Sequence, residues 1–144
     1  MKQVHLRVTP PREELLPVHQ AISSTEGLEG GALLSGGVNP ADPTELFSIE
    51  GSQETVLSAL TDQSGVQSVE CLSVEDEETY VYVRENEQER RIAEAFTKGT
   101  LVVTLPIRFR TDGSVELTVL GAGSDLQEAL GAVRDLADVA VLKI

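Results

Sequence analysis

The chain has 144 residues, a length that suits one ordinary domain or two small ones. It carries 24 acidic against 11 basic residues, a net charge of −13, so its surface repels nucleic acid and anionic membranes. No apolar run approaches a membrane span and no signal peptide opens the chain, which leads to the expectation of a cytoplasmic protein without membrane partners.

In chain order, residues 2–9 alternate Val4, Leu6 and Val8 against His5 and Arg7, the period of a strand with one buried face. Thr9-Pro10-Pro11 stops it, because proline lacks the donor a ladder needs. Pro17 fits the first position of a helix, with Val18, Ala21 and Ile22 buried. Residues 27–38 read as a second strand region, loosened by Gly30-Gly31 and Gly36-Gly37, and Asn39-Pro40-Ala41-Asp42-Pro43 as a turn. A strand over 44–50, a helix over 52–61 and a strand over 66–74 follow. The lone Cys71 cannot close an internal disulfide and reads as a small core residue. Glu75-Asp76-Glu77-Glu78 is an acidic junction, read as a solvated turn rather than a metal site.

Beyond the junction come a fifth strand over 79–84 and a helix over 87–98, with Ile92, Ala95 and Phe96 buried and Gly99 past its end. A long strand over 101–109 follows, its apolar parity made of Leu101, Val103, Leu105, Ile107 and Phe109. Asp112-Gly113 is a hairpin signal because glycine accepts a positive φ. Val115, Leu117 and Val119 point inward on the return strand. Ser124-x-x-Gln127 reads as a capping box that opens a helix with Leu126, Ala129, Leu130 and Val133 on one face. A strand over 139–144 closes the unit.

The two halves repeat each other. Residues 45–74 slide onto residues 115–144 without a gap: Phe47 and Ile49 fall on Leu117 and Val119, Gly51 on Gly121, and Val56, Ala59 and Leu60 on Leu126, Ala129 and Leu130. The repeat predicts an α+β fold made of tandem ferredoxin-like βαββαβ units, residues 1–75 and 76–144, each an antiparallel sheet with helices on one face.

No constellation for catalysis emerges. His5 and His19 have no Cys or carboxylate at metal-ligand spacing, and no serine sits in a nucleophile elbow. Gly121-Ala122-Gly123-Ser124 lacks the third glycine and acidic partner of a dinucleotide site. The expectation is a non-enzyme without cofactor. One cluster stands out: Tyr80, Tyr82, Arg84, Arg108 and Arg110, with Glu116 and Thr118, on the open face of the second sheet. Two readings stand: an anionic ligand or a partner's carboxylates received by arginine, or the packing of two domains or subunits with Arg paired to Glu.

Leu16-Pro17-Val18-His19-Gln20-Ala21-Ile22, residues 47–60, residues 80–84, and above all residues 101–114 with Val119-Leu120-Gly121 carry a resemblance. Over most of its length the chain resembles the N-terminal region of the bacterio-opsin-activator-like transcription regulators of halophilic archaea. The resemblance implies a regulatory or sensing role, with DNA contacted only through a C-terminal helix-turn-helix that is absent here, since the chain stops at Ile144. It leaves a homodimer and a small-molecule effector as partners. The alternative is a small-molecule-binding module of the amino-acid-sensing, ACT-like type, which uses the same βαββαβ unit.

Spread-out acid with only three lysines, Lys2, Lys98 and Lys143, also resembles proteins that hold hydrated carboxylates at high internal salt. Crowded carboxylates repel one another, and ions screen that repulsion. Stability is therefore expected to rise from dilute buffer to molar KCl; a urea midpoint that stays flat or falls over that range would remove the halophilic reading.

Overall fold

The computed structural model describes residues 1–36, 44–86 and 90–144. Its strands are β1 (Lys2–Thr9), β2 (Gly31–Gly36), β3 (Thr44–Glu50), β4 (Val66–Glu75), β5 (Glu78–Glu85), β6 (Val102–Phe109), β7 (Val115–Gly121) and β8 (Asp138–Lys143). Its helices are α1 (Pro17–Ser24), α2 (Gln53–Thr61), α3 (Arg91–Ala95) and α4 (Gly123–Arg134), with a 3-10 turn at Arg12–Glu14. The end of the second strand region at Val38, the turn at Asn39 to Pro43 and the expected helix start at Glu87 lie outside the described residues.

The strands form one antiparallel sheet of eight, in the order β4-β5-β3-β2-β6-β7-β1-β8. Two self-contained sheets were expected from the repeat; instead the first strand of each half sits in the other. β5 lies between β4 and β3, while β1 lies between β7 and β8. The cause is the turn after β4. Only Asp76 and Glu77 separate β4 from β5, and so short a connection admits only an antiparallel hairpin with the next strand alongside. The junction expected near Asp76 is therefore a hairpin tip. β5 takes the place beside β4, and β1 takes the corresponding place beside β8.

Inward positions alternate as the period-two pattern predicts. Val4, Leu6 and Val8 of β1 pair with Val119, Leu117 and Val115 of β7, and Val81 of β5 pairs with Phe47 of β3. Each half keeps its own core. Val18 and Ile22 of α1 and Val56 and Leu60 of α2 pack with Phe47, Ile49, Val81 and Val83. Phe96 and Leu126 and Val133 of α4 pack with Leu6, Leu117 and Val119. Ile107, paired with Leu33 across the central β2–β6 contact, touches both cores, so the two helical layers lie on the same face of the sheet. Gly51 and Gly121 hold equivalent strand exits. A Cβ on Gly51 would stand 2.5 Å from Leu28, and one on Gly121 would stand 2.8 Å from Leu101.

Three local expectations change. Leu105 is 42% exposed rather than inward. Between the Thr104–Thr118 and Arg108–Glu116 pairs, three residues of β6 stand opposite the single Leu117 of β7, and Leu105-Pro106 bulges out; proline has no N–H for the ladder. The Ser124–Gln127 capping box does not form, because α4 begins two residues earlier with Ala122 at its N-cap. Asp125 in its first turn accepts instead from the Thr100 amide at 2.9 Å and hydroxyl at 2.6 Å, and the Thr100 hydroxyl accepts from the Ala122 amide at 2.8 Å. The described part of α3 is five residues long and ends before the expected Lys98. By contrast, Pro17 stands at the start of α1, and Ser52 caps α2 by accepting from the Thr55 amide at 3.3 Å.

Because each half needs the other's first strand, the sheet is expected to unfold as one unit. Leu6→Ala in β1 should cost about 2–5 kcal/mol and lower a single cooperative transition seen by both circular dichroism and calorimetry. A two-step melt in which one half survives would contradict the interlocking.

Candidate functional site on the open face of the sheet

Among the described residues, four helices cover one face of the sheet and the other face is open. Tyr80, Tyr82 and Arg84 of β5 and Arg108 of β6 all point to the open side, and Arg110 follows at the β6–β7 hairpin. They share a face but do not form one cluster. β3 and β2 stand between β5 and β6, a separation of about 14 Å at ordinary strand spacing. They do not share a second, separate sheet either, since the exchange carries β5 into the other half.

The exchange also brings in residues that the sequence did not place here. β1 lies beside β7, so His5 and Arg7 join Thr118 and Glu116. Glu116 accepts from Arg7 at 3.0 Å and from Arg110 at 3.4 Å. Hydrogen bonding from Arg7, aided by the charge of Arg110, holds the Glu116 carboxyl below its usual range. His5 Nδ1 and the Thr118 hydroxyl are 2.8 Å apart. Asp112 accepts from the Ser114 hydroxyl and amide, which lowers its pKa and closes the hairpin over Gly113 at φ +90°. Arg108 makes no ion pair among the described residues. It forms one wall of a shallow concavity of about 610 Å³ floored by Gly31, Ala32 and Ser48, with Glu50 and residues 75–78 opposite.

A second polar group lies under the helices. Glu85, at the end of β5, is 1% exposed and Glu45 is 4% exposed. Arg90 donates to Glu85 at 2.8 Å and to Glu45 at 3.3 Å, and the Val18 amide in the first turn of α1 donates to Glu85 at 3.3 Å. One guanidinium thus serves two carboxylates. Burial, reinforced by the charge of Glu45, raises the Glu85 pKa to about 7 against the pull of Arg90 and the Val18 amide. The signal was present in the sequence: Glu45 and Glu85 both fall on the inward parity of their strands. His19 is also buried, 3.0 Å from the Arg110 carbonyl and edge-on to Phe109; burial lowers its pKa. Burial likewise raises that of the half-buried Cys71. Among the described residues no group of three His, Cys, Asp or Glu is placed to hold a metal ion, and no helix is long and apolar enough to cross a membrane.

Unfolded, Glu85 ionises near its ordinary 4.5; folded, near 7. Between those values the unfolded chain has released a proton that the folded chain keeps, so this residue makes stability fall as pH rises from 4.5 to 7 and level off above. His19 acts the other way, costing stability as pH drops below its ordinary 6.5. Glu85→Gln is expected to remove the Glu85 slope and to gain about 3 kcal/mol relative to wild type between pH 4.5 and pH 8. Urea midpoints of the two proteins across that range measure the difference, and parallel curves would refute it.

Residues 16–144 match the family model described as HVO_0513_N, N-terminal. No curated protein and no solved structure gives a significant match.

Proposed function

Because the chain belongs to the HVO_0513_N N-terminal family, a domain family of haloarchaeal name, we propose that it is the regulatory or sensing N-terminal part of a haloarchaeal transcription regulator of the bacterio-opsin-activator-like kind. It is non-catalytic in this reading, and it touches DNA only through a helix-turn-helix outside this chain. The observation that carries the reading is the use made of its cations. Arg7, Arg90, Arg91 and Arg110 pair with the chain's own carboxylates, and the first turn of the longest helix, α4, carries Asp125. A surface of that kind does not neutralise phosphates. It suits a frame that receives a signal or sets the spacing of a dimer. The halves descend, in this reading, from one duplicated ferredoxin-like unit whose first strands have exchanged.

One feature favours the ACT-like alternative. The shallow concavity sets Arg108 opposite Glu50 and Glu78, a polarity matched to a small zwitterion. A thermal-shift screen of free amino acids addresses it directly.

For the main reading, a mobility-shift titration at matched salt is expected to find no sequence-selective duplex binding by this chain. Binding should appear when the chain is extended through a downstream helix-turn-helix. Tight, selective binding by the 144-residue chain alone would overturn the assignment.

A further inference from the structure

The open face is segregated by charge. On the half formed by β4, β5, β3 and β2 stand Glu50, Glu70, Glu78 and the tip acids Glu75 and Glu77, with Arg84 the exception. On the half formed by β6, β7, β1 and β8 stand Arg7, Arg108, Arg110 and Lys143, with Glu116 and Asp138 among them. The chain has two tyrosines, and both lie on this face. Tyr82 is 54% exposed and Leu72, beside Tyr80, is 66% exposed.

We propose that this face binds a second copy of the chain. The two copies are related by a two-fold axis that runs along the strands between β2 and β6, with the arginine half of each over the acidic half of the other. The register supports that operator. One cross-strand row runs Leu72, Tyr80, Ser48, Ala32 on the acidic half and continues Arg108, Glu116, Arg7, Ala140 on the other. Reflection of strand positions through the centre sets Tyr80 over Arg7 of the second copy, a cation over an aromatic face. Arg108 of the second copy falls over Ala32, whose small side chain leaves the concavity bounded by Glu50 and Glu78. In the neighbouring rows Glu70, paired with Tyr82, meets Lys143, paired with His5. Arg110 falls over Gly30, beside Glu50, whose amide bonds the Gly30 carbonyl at 2.9 Å.

Eight strands at about 4.8 Å and strands of about 20 Å give a face of roughly 700 Å², close to the ~800 Å² per partner of a standard interface. Tyr and Arg are the residues that anchor such interfaces. A basic partner protein would suit the acidic half alone; a copy of the same chain satisfies both halves at once. Nothing in this depends on the regulatory reading.

The test is a charge exchange in the full chain. Wild type is expected to sediment as a dimer in dilute buffer and in molar KCl. Glu50→Arg with Glu70→Arg sets cations over Arg110 and Lys143 of the second copy, and Arg110→Glu with Lys143→Glu sets acids over its Glu50 and Glu70. Each double variant alone should dimerise at least about tenfold more weakly, most of all in dilute buffer, where like charges repel unscreened. An equimolar mixture should form the heterodimer with affinity restored. Tyr82→Lys, at an exposed position that should not disturb the fold, is expected to weaken the wild-type dimer as well. A wild type that is monomeric at every concentration, or a dimer that both double variants and Tyr82→Lys leave unchanged, would overturn the proposal.

Discussion

The architecture depends on a two-residue turn. Asp76 and Glu77 join β4 to β5, and a connection that short cannot carry the chain to a separate sheet. It must return antiparallel beside the strand it has just left. β5 then occupies the position next to β4 that the first strand of that half would otherwise fill. β1 is displaced, and the vacancy left by β5 lies between β7 and β8. Everything distant in the fold follows: one sheet in place of two, a central β2–β6 pair, and His5 and Arg7 delivered to the side of Glu116 and Thr118. The 3-10 turn at Arg12–Glu14 and the residues around it carry the chain back, because α1 still packs on the core of the first half.

That geometry divides labour between the two faces. The helix-covered face is nearly all aliphatic, and Ile107 joins its two cores. The open face holds Arg7, Arg84, Arg108 and Arg110, both tyrosines and most of the strand-borne acids. An antiparallel sheet can leave one face to water, but most surface ion pairs contribute about 0–1 kcal/mol. The Arg7–Glu116–Arg110 group is therefore weak as a stabiliser of the monomer. Its arrangement on one half of an acidic protein has more bearing on what the face meets.

Most elements were legible in the residues because they obey local rules. The alternation in residues 44–50, proline at the start of α1 and the Asp112-Gly113 turn are each decided within a few positions, and each appears where its signal lies. Leu105 escaped because parity alone ignores the missing donor of Pro106. The capping box escaped because Thr100, far along the chain, engages Asp125 and fixes the start of α4. The exchange escaped for a different reason. Burial parity says which face a side chain takes, and it is blind to which strand lies alongside. The same acids that read as a solvated junction were the hairpin turn that settles the pairing. For the candidate site, the parity of Tyr80, Tyr82 and Arg108 was visible, while their separation across β3 and β2 was not.

Turn length explains why β5 stays near β4, and side-chain chemistry explains why the two slots are not interchangeable. The paired strands align Thr79 with Ile49 as they align Val4 with Val119, and Val81 with Phe47 as they align Leu6 with Leu117. By that correspondence Thr79 is the counterpart of Val4, and Glu85, six residues on, is the counterpart of Pro10. Thr79 donates its buried hydroxyl to the Gly51 carbonyl at 3.0 Å, and Glu85 takes the Val18 amide and Arg90. With β1 in that slot, a valine would face the Gly51 carbonyl, and a proline would leave Arg90 and the start of α1 without their acceptor. With β5 in the other slot, a carboxylate would be brought up to a core built from Leu117, Val119 and Phe96 and their neighbours. Unpartnered buried polar groups cost about 1–3 kcal/mol each, and charged ones more. The buried Glu85–Arg90–Glu45 group costs stability of its own, as the raised pKa of Glu85 records. What it adds is discrimination between two strands that are otherwise near-equivalent in pattern, so that a repeated sequence folds to one pairing and not two.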